Sequence, residues 1–170
     1  MCGKITDATS NNDSAYSNWT DITLKYLEPD NTTGEPASVY DNGLNMVRIV
    51  IGFTPMDDAG AALDIPQSVL QNAVTLIDYN NYEQALTHLP HAPTIDNLPS
   101  FTGWAYCSEP NDFLSTGTET AMAYSGVSAV TFYVLSRSVL QNFKIGFRIT
   151  TGSGNTWTYA ITRPSTDGGG

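Results

Sequence analysis

The chain has 170 residues and a formal net charge of −10, and 41% of its residues are hydrophobic and 14% charged. This length suits a single domain with its own core, and the composition excludes a disordered chain. No stretch is apolar for the roughly 18 to 20 residues that span a bilayer, so a membrane-spanning helix is not expected.

The two ends of the sequence differ from its middle. Residues 1–18 and 164–170 are small and polar and lack hydrophobic periodicity. They predict a flexible N-terminal arm and a disordered C-terminal tail around a single domain at 19–163. The arm has no apolar core of a secretory signal, so we expect synthesis in the cytoplasm, with release or incorporation into a particle or extracellular assembly left open.

Alternating apolar and polar residues predict strands with one buried face along most of the domain. The first strand places Ile22, Leu24 and Tyr26 on the core face. The next strand, over 44–53, buries alternate apolar residues and leaves Gly52 on the exposed face.

A more deeply buried strand is predicted in the middle of the chain. One helical turn is expected after Pro66, followed by an apolar strand over 74–79 in which Leu76 and Ile77 are adjacent. Adjacent residues of a strand point to opposite faces, so both faces should be buried here. Residues 80–100, which contain three prolines and both histidines, show no periodicity.

A hairpin is predicted near the C-terminus. Residues 142–162, NFKIGFRITTGSGNTWTYAIT, form two alternating runs about a Gly-Ser-Gly-Asn turn. The inner face is apolar and aromatic, whereas the outer face carries threonines together with Lys144 and Arg148. Such a hairpin fits a sheet with one solvated face.

These patterns together predict seven or eight strands and very little helix. The predicted fold class is all-β: an antiparallel β-sandwich, immunoglobulin-like or jelly-roll-like, with a flattened barrel as the alternative. The strand patterns are alike in the two shapes and do not separate them.

Charge is distributed unevenly along the chain. Residues 1–119 carry three basic and sixteen acidic residues (net −13), and residues 120–170 carry four basic and one acidic residue (net +3). Asymmetry between halves points to a partner, and a chain this acidic is a poor match for nucleic acid. A second copy of the same protein offers the complementary charge, so we expect a self-assembling homo-oligomer or filament. The predicted contact sets Lys144, Arg148 and Arg163 against Asp57, Asp58 and Asp64.

The same charges have plainer interpretations. Basic side chains could pair with acidic loops of their own copy or stand in solvent, where an ion pair is worth about 0 to 1 kcal/mol. The acidic segments could also bind Ca²⁺ through oxygen ligands. The candidate ligands are Asp57, Asp58 and Asp64 in one segment and Asp78, Asn80, Asn81 and Glu83 in another. Neither segment fits the EF-hand loop, so we expect solvated loops and no cofactor, with Ca²⁺ as the alternative.

Aromatic residues support a second candidate function. Trp104 shares a strand face with Tyr106, and together with Tyr79 and Tyr82 it could stack against the apolar face of a sugar. The alternative function is therefore a carbohydrate-binding or surface-recognition module, lectin-like or the receptor-binding part of a toxin. Core packing is the default for such residues.

Residues that could support catalysis are few. His88, His91 and Cys107 would have to converge in one pocket, yet the two histidines point to opposite sides of an extended chain. Glu109 stands close to Cys107 in sequence and disfavours a thiolate. The sequence has neither a Gly-x-Ser-x-Gly elbow nor a phosphate-binding loop, so we expect a protein without enzymatic activity.

Overall fold

The structure is a computed structural model, and it describes residues 16–28, 42–114, 127–138 and 143–160. In this part of the chain there are nine strands and one helix, α1 (Gln67–Ala73). The strands are β1 (Asp21–Glu28), β2 (Val47–Met56), β3 (Val74–Asp78), β4 (Asn81–Ala85), β5 (Thr87–His88), β6 (Trp104–Cys107), β7 (Ser128–Ser136), β8 (Ile145–Thr150) and β9 (Thr156–Tyr159).

The strands form two sheets. The five-stranded sheet has the order β1-β2-β7-β6-β5, and the four-stranded sheet has the order β4-β3-β8-β9. Neighbouring strands are antiparallel except for β5 and β6, which are parallel. One of the sheets is strongly curled, and the architecture confirms the predicted all-β sandwich.

The two sheets are joined along one side by a chain segment that passes from one to the other. The Leu86 amide donates to the Leu76 carbonyl in the four-stranded sheet, and the next residue, Thr87, pairs with Ala105 in the five-stranded sheet. This segment lies in 80–100, where the sequence showed no periodicity. Four of the five β4 residues are exposed, so hydrophobic alternation could not reveal that strand.

The main core lies between the sheets. Phe53 and Phe132 of the five-stranded sheet face Leu76 and Phe147 of the four-stranded sheet, and all four side chains are buried. The predicted hairpin is present as β8 and β9, with Phe147 stacked on two aromatic rings of β9. Its inner and outer faces are therefore those that the alternation predicted.

A second core covers the opposite face of the five-stranded sheet. Residues from β6, β7 and the loops around them are buried together there: Met46, Leu89, Phe101, Ala105, Cys107 and Leu135. The Asn111 amide donates to the carbonyls of Leu44 and Pro93 and so ties two of these loops together. The β6–β7 part of this sheet is consequently buried on both faces.

The predicted position of Tyr26 on the core face is wrong. The register between β1 and β2 shifts between Leu24 and Tyr26, so a bulge at Lys25 interrupts the alternation. Leu27 packs against the main core instead, and the Tyr26 ring lies over Gly52, where a Cβ would come within 2.1 Å of it. Gly52 was predicted to be exposed, but it is buried beneath this ring.

Helix α1 extends the predicted helical turn and closes a gap beside β7. Its Gln67 and Gln71 side chains donate to the Ala129 and Thr131 carbonyls, which lie on a part of β7 that β6 does not reach. The helix is short, and no helix in the described residues is long and apolar enough to cross a membrane. The strand that follows it has the predicted burial on both faces, because Leu76 and Ile77 are both fully buried.

Candidate functional site

The strands bring several acidic residues to one end of the sandwich. Asp21, where β1 begins, pairs with Met56, where β2 ends. The β8–β9 turn reaches the same end, because the Ser153 amide donates to the Trp19 carbonyl and the Asn155 side chain donates to the Thr20 carbonyl. We refer to this region, with Asp21, Asp57, Asp58 and Asp64, as the acidic end.

The acidic end contains an open depression of about 710 Å³. Asp21, Asp57 and Asp58 line it on one side, and Asn155 and Thr156 of the hairpin line it on the other. The sequence predicted the acidic loop, but it did not predict that the loop lies beside the hairpin turn. That neighbourhood depends on the contact between Asn155 and Thr20, which are 135 positions apart in the sequence.

The carboxylates at the acidic end differ in what they do. One carboxylate oxygen of Asp57 accepts hydrogen bonds from the Ala59 and Ala61 amides, so Asp57 shapes its own loop. Asp58 and Asp64 are exposed and make no hydrogen bond or ion pair with other described residues. Their charge is therefore available to a partner.

The opposite end of the sandwich carries basic residues. Lys144 immediately precedes β8, whose other end leads into the hairpin turn, and Arg137 immediately follows β7. The ends of the two sheets meet here, because Trp104 of β6 stacks on Phe143 with a centroid distance of 4.6 Å. Arg48 lies near the start of β2, toward the same side. We refer to Arg48, Arg137 and Lys144 as the basic end.

The predicted basic residues do not form one continuous patch. The Lys144 ammonium lies 3.9 Å from the centre of the Tyr79 ring and 6.0 Å from that of Tyr159, ahead of the strand. Arg148 lies in mid-strand beside Thr158, and its guanidinium donates to the Tyr82 carbonyl at 3.4 Å. Arg163, the third predicted residue, lies outside the described residues.

Sequence reasoning missed Arg137 as part of the basic end. Its guanidinium lies over the Phe101 ring at 5.4 Å, and its amide donates to the Gly103 carbonyl. The available signal was that Arg137 directly follows VSAVTFYVLS, residues 127–136, whose alternation predicts a strand. Which other strand ends lie beside it depends on sheet topology, which the sequence does not show.

Ion pairing within one copy does not use these ends. Across the described ranges, the ion pair present is His91 Nδ1 to Glu109 Oε2, at 3.4 Å between two exposed side chains. Neither Lys144 nor Arg148 pairs with Asp57, Asp58 or Asp64. Instead, Arg137 and Lys144 lie over aromatic rings, and Arg148 donates to a carbonyl group.

The residues considered for catalysis lie in one region but in different environments. His88 packs against the Tyr106 ring at 4.8 Å, whereas His91 contacts Glu109. Cys107 is fully buried, and its thiol donates to the Glu109 carbonyl. Burial raises the pKa of the Cys107 thiol, and the nearby Glu109 charge raises it further. This favours the protonated thiol, the opposite of what a cysteine nucleophile requires.

The aromatic residues predicted to bind sugar are distributed over both sheets. Tyr79 and Tyr82 flank the β3–β4 turn, and Trp104 begins β6 in the other sheet. One face of Trp104 is covered by Phe143, and one face of Tyr79 by the Lys144 ammonium. Carbohydrate binding stays a prediction, and no observation in the described residues adds to it.

The Ca²⁺ alternative gains no support from geometry. Among the described residues, no group of three or more His, Cys, Asp or Glu side chains is arranged to hold a metal ion. Asp78 and Asn81 use oxygens to accept hydrogen bonds from the Asn80 and Glu83 amides, which is the behaviour of ordinary turn residues.

No protein-family model, curated protein or solved structure matches this chain. The two charged ends are therefore the features of the molecule that bear on function.

Proposed function

We propose that this chain is a non-enzymatic structural or interaction protein that assembles head to tail, with the acidic end of one copy against the basic end of the next. The observation that supports this proposal is the separation of charge along the strands. Asp58 and Asp64 lie at one end, Lys144 and Arg137 lie at the other, and the described residues contain no ion pair between these groups.

Distance keeps the two ends apart within one copy. β8 has six residues, which span about 20 Å at about 3.3 Å per residue, and it separates Lys144 from the hairpin turn at the acidic end. A lysine side chain is much shorter than this. This separation also exceeds the Debye length of about 8 to 10 Å at physiological salt, so attraction between the two ends of one copy is largely screened. A second copy can bring the two groups into contact.

The proposed contact joins two different surfaces, so it is heterologous. Repeated contacts of this kind close into rings or continue as filaments, depending on the rotation between copies. Each exposed ion pair contributes only about 0 to 1 kcal/mol. We therefore expect a weak, salt-sensitive assembly unless other residues of the two ends add apolar contact.

A charge-swap experiment tests the proposal. One variant combines Arg137→Glu with Lys144→Glu, and a second combines Asp58→Lys with Asp64→Lys. Each variant alone should lose the head-to-tail association that the wild type shows under the same conditions, because its changed end is no longer opposite in charge to its unchanged end. An equimolar mixture of the two variants should associate again, because the unchanged ends form the wild-type contact and the changed ends set the new glutamates against the new lysines. Light scattering or sedimentation velocity measures the mass.

Three comparisons complete the test. Lys25→Glu is the control, because Lys25 is exposed in mid-strand and belongs to neither end. Arg148→Glu should have a smaller effect than the double change at the basic end, since Arg148 also lies in mid-strand. The wild-type mass should fall as salt rises. Variants that associate separately as the wild type does, or a mixture that associates no further than the separate variants, would contradict the proposal.

A further inference from the structure

Among the described residues, each sheet ends in a strand that has a neighbour on one side only. In the described residues, β1 is the last strand of the five-stranded sheet, and β9 is the last strand of the four-stranded sheet. The opposite edges are linked to each other by the segment that passes from β4 to β5. An unpaired edge presents free amide and carbonyl groups and can accept another strand.

The β1 edge has two features that oppose pairing. The register shift at Lys25 bends the strand, and bulges of this kind disrupt a regular hydrogen-bond ladder. Lys25 is also exposed near the middle of the strand. Two copies of β1 paired around that point would bring two lysines together, and like charges opposite each other are destabilising.

The β9 edge has neither feature. Its sequence is Thr-Trp-Thr-Tyr, which contains no charge, no proline and no glycine, and all three residue types favour strands. Its register with β8 is continuous over all four residues. Trp157 and Tyr159 face the core, while Thr156 and Thr158 lie on the outer face.

We propose that β9 pairs antiparallel with β9 of a second copy of this chain, so that two four-stranded sheets join into one sheet of eight strands. The uncharged β9 strand favours a second copy as the occupant, because its outer-face threonines match those of an identical strand. Two chains of net charge −10 repel each other, and an uncharged strand lets them approach without setting like charges directly opposite each other. Under two-fold symmetry, residues on the same face meet, so Thr158 lies opposite Thr156 or Thr158 of the partner copy. Such threonine pairs stabilise a sheet.

This contact uses a different surface from the head-to-tail contact and does not depend on it. The β9 pair is isologous, because the same strand contributes on both sides, and it closes at two copies. The β9 pair contains no ion pair that salt would weaken, and salt screens the repulsion between the two acidic chains. High salt should therefore preserve the β9 pair. The head-to-tail contact should weaken under the same conditions.

The test is Thr158→Glu. In the folded chain, position 158 pairs with Arg148, so a glutamate there has a basic neighbour in its own sheet. In a β9 pair it would lie close to the same glutamate of the partner copy and repel it. At high salt, sedimentation velocity should show the wild type at twice 18.4 kDa and the Thr158→Glu variant at 18.4 kDa. The matched control is Thr150→Glu, an exposed outer-face residue of β8, away from the edge. Circular dichroism checks that each variant is folded.

A cross-link identifies the occupant. Thr158→Cys in a Cys2→Ser background leaves Cys107 buried, so a short bis-maleimide should link two chains through position 158. Thr150→Cys in the same background should not be linked. A wild type that stays at 18.4 kDa at high salt, an unchanged mass in Thr158→Glu, or a dimer that position 158 fails to cross-link would each overturn the proposal. The Asp58→Lys/Asp64→Lys variant should lose the head-to-tail contact but retain the β9 dimer. Its mass therefore shows whether one contact fails without the other.

Discussion

The β6–β7 part of the five-stranded sheet has a core on each face, whereas the β8–β9 part of the four-stranded sheet has one core face and one face with partly exposed side chains. Tyr106 and Cys107 are neighbours in β6, and each is buried in a different core. In the other sheet, Phe147 is buried but its neighbour Arg148 lies beside Thr158 on the outer face. The difference indicates which strands are buried on both faces and which present an outer face with side chains available to partners.

The largest effect is expected at Leu135, which is fully buried in the second core, on the five-stranded sheet. Leu135→Ala should lower the free energy of unfolding by about 2 to 5 kcal/mol, because it leaves a cavity between the sheet and its covering loops. Urea denaturation measures the change. Thr150→Ala on the outer face of the four-stranded sheet is the control and should change stability by less than about 0.5 kcal/mol. Equal effects of the two substitutions would contradict the proposed difference between the sheets.

The second prediction concerns Tyr106, which lies in the main core between the two sheets. Burial raises the pKa of the Tyr106 hydroxyl, although a hydrogen bond with the Leu76 backbone and the Arg148 charge act in the opposite direction. The folded state therefore favours the protonated phenol. Its contribution to stability is complete below the ordinary tyrosine pKa of about 10 and is lost as pH rises through the higher pKa of the folded state.

Tyr106→Phe removes this titration. The wild type should lose thermal stability above about pH 10, and the variant should lose less over the same interval. The pKa of the Cys107 thiol is also raised and acts in the same direction, but it is common to both proteins. Tyr133→Phe, a partly exposed residue of β7, controls for the loss of a hydroxyl. Parallel stability curves for Tyr106→Phe and the wild type would show that the phenol is not protected between the sheets.

The same comparison shows which features the sequence could predict. The hairpin of β8 and β9, the double burial of Leu76 and Ile77, and the all-β class follow from alternation over neighbouring residues, and the structure confirms them. The position of Tyr26 does not follow from alternation, because the bulge depends on the space above Gly52 of another strand. Local patterns predict strands and faces, but not the registers that depend on a partner.

The candidate site was predictable to a similar extent. The sequence identified the acidic loop with Asp57 and Asp58 and the basic hairpin with Lys144. It did not place them at opposite ends of the sandwich, and it did not bring Arg137 to the end that holds Lys144. Those positions depend on strand order, which arises from pairing between distant segments. The assembly itself is still a proposal.

The smallest expected effect concerns Lys144, whose ammonium lies over the Tyr79 ring in the four-stranded sheet. A cation over an exposed aromatic ring contributes about 0.5 to 1 kcal/mol. Lys144→Met should reduce the free energy of unfolding by about that amount, and Lys25→Met should have a smaller effect. A double-mutant cycle with Tyr79→Leu isolates the contact.

The size of the Lys144–Tyr79 coupling also bears on the proposed assembly. A coupling of up to about 1 kcal/mol leaves Lys144 able to exchange the ring for a carboxylate of a second copy, since the two contacts are of similar strength. A coupling above about 2 kcal/mol would mean that the lysine is desolvated and fixed to its own fold. The basic end would then present chiefly Arg137. The Arg137→Glu change alone should in that case dissociate the wild-type assembly as fully as the double variant does.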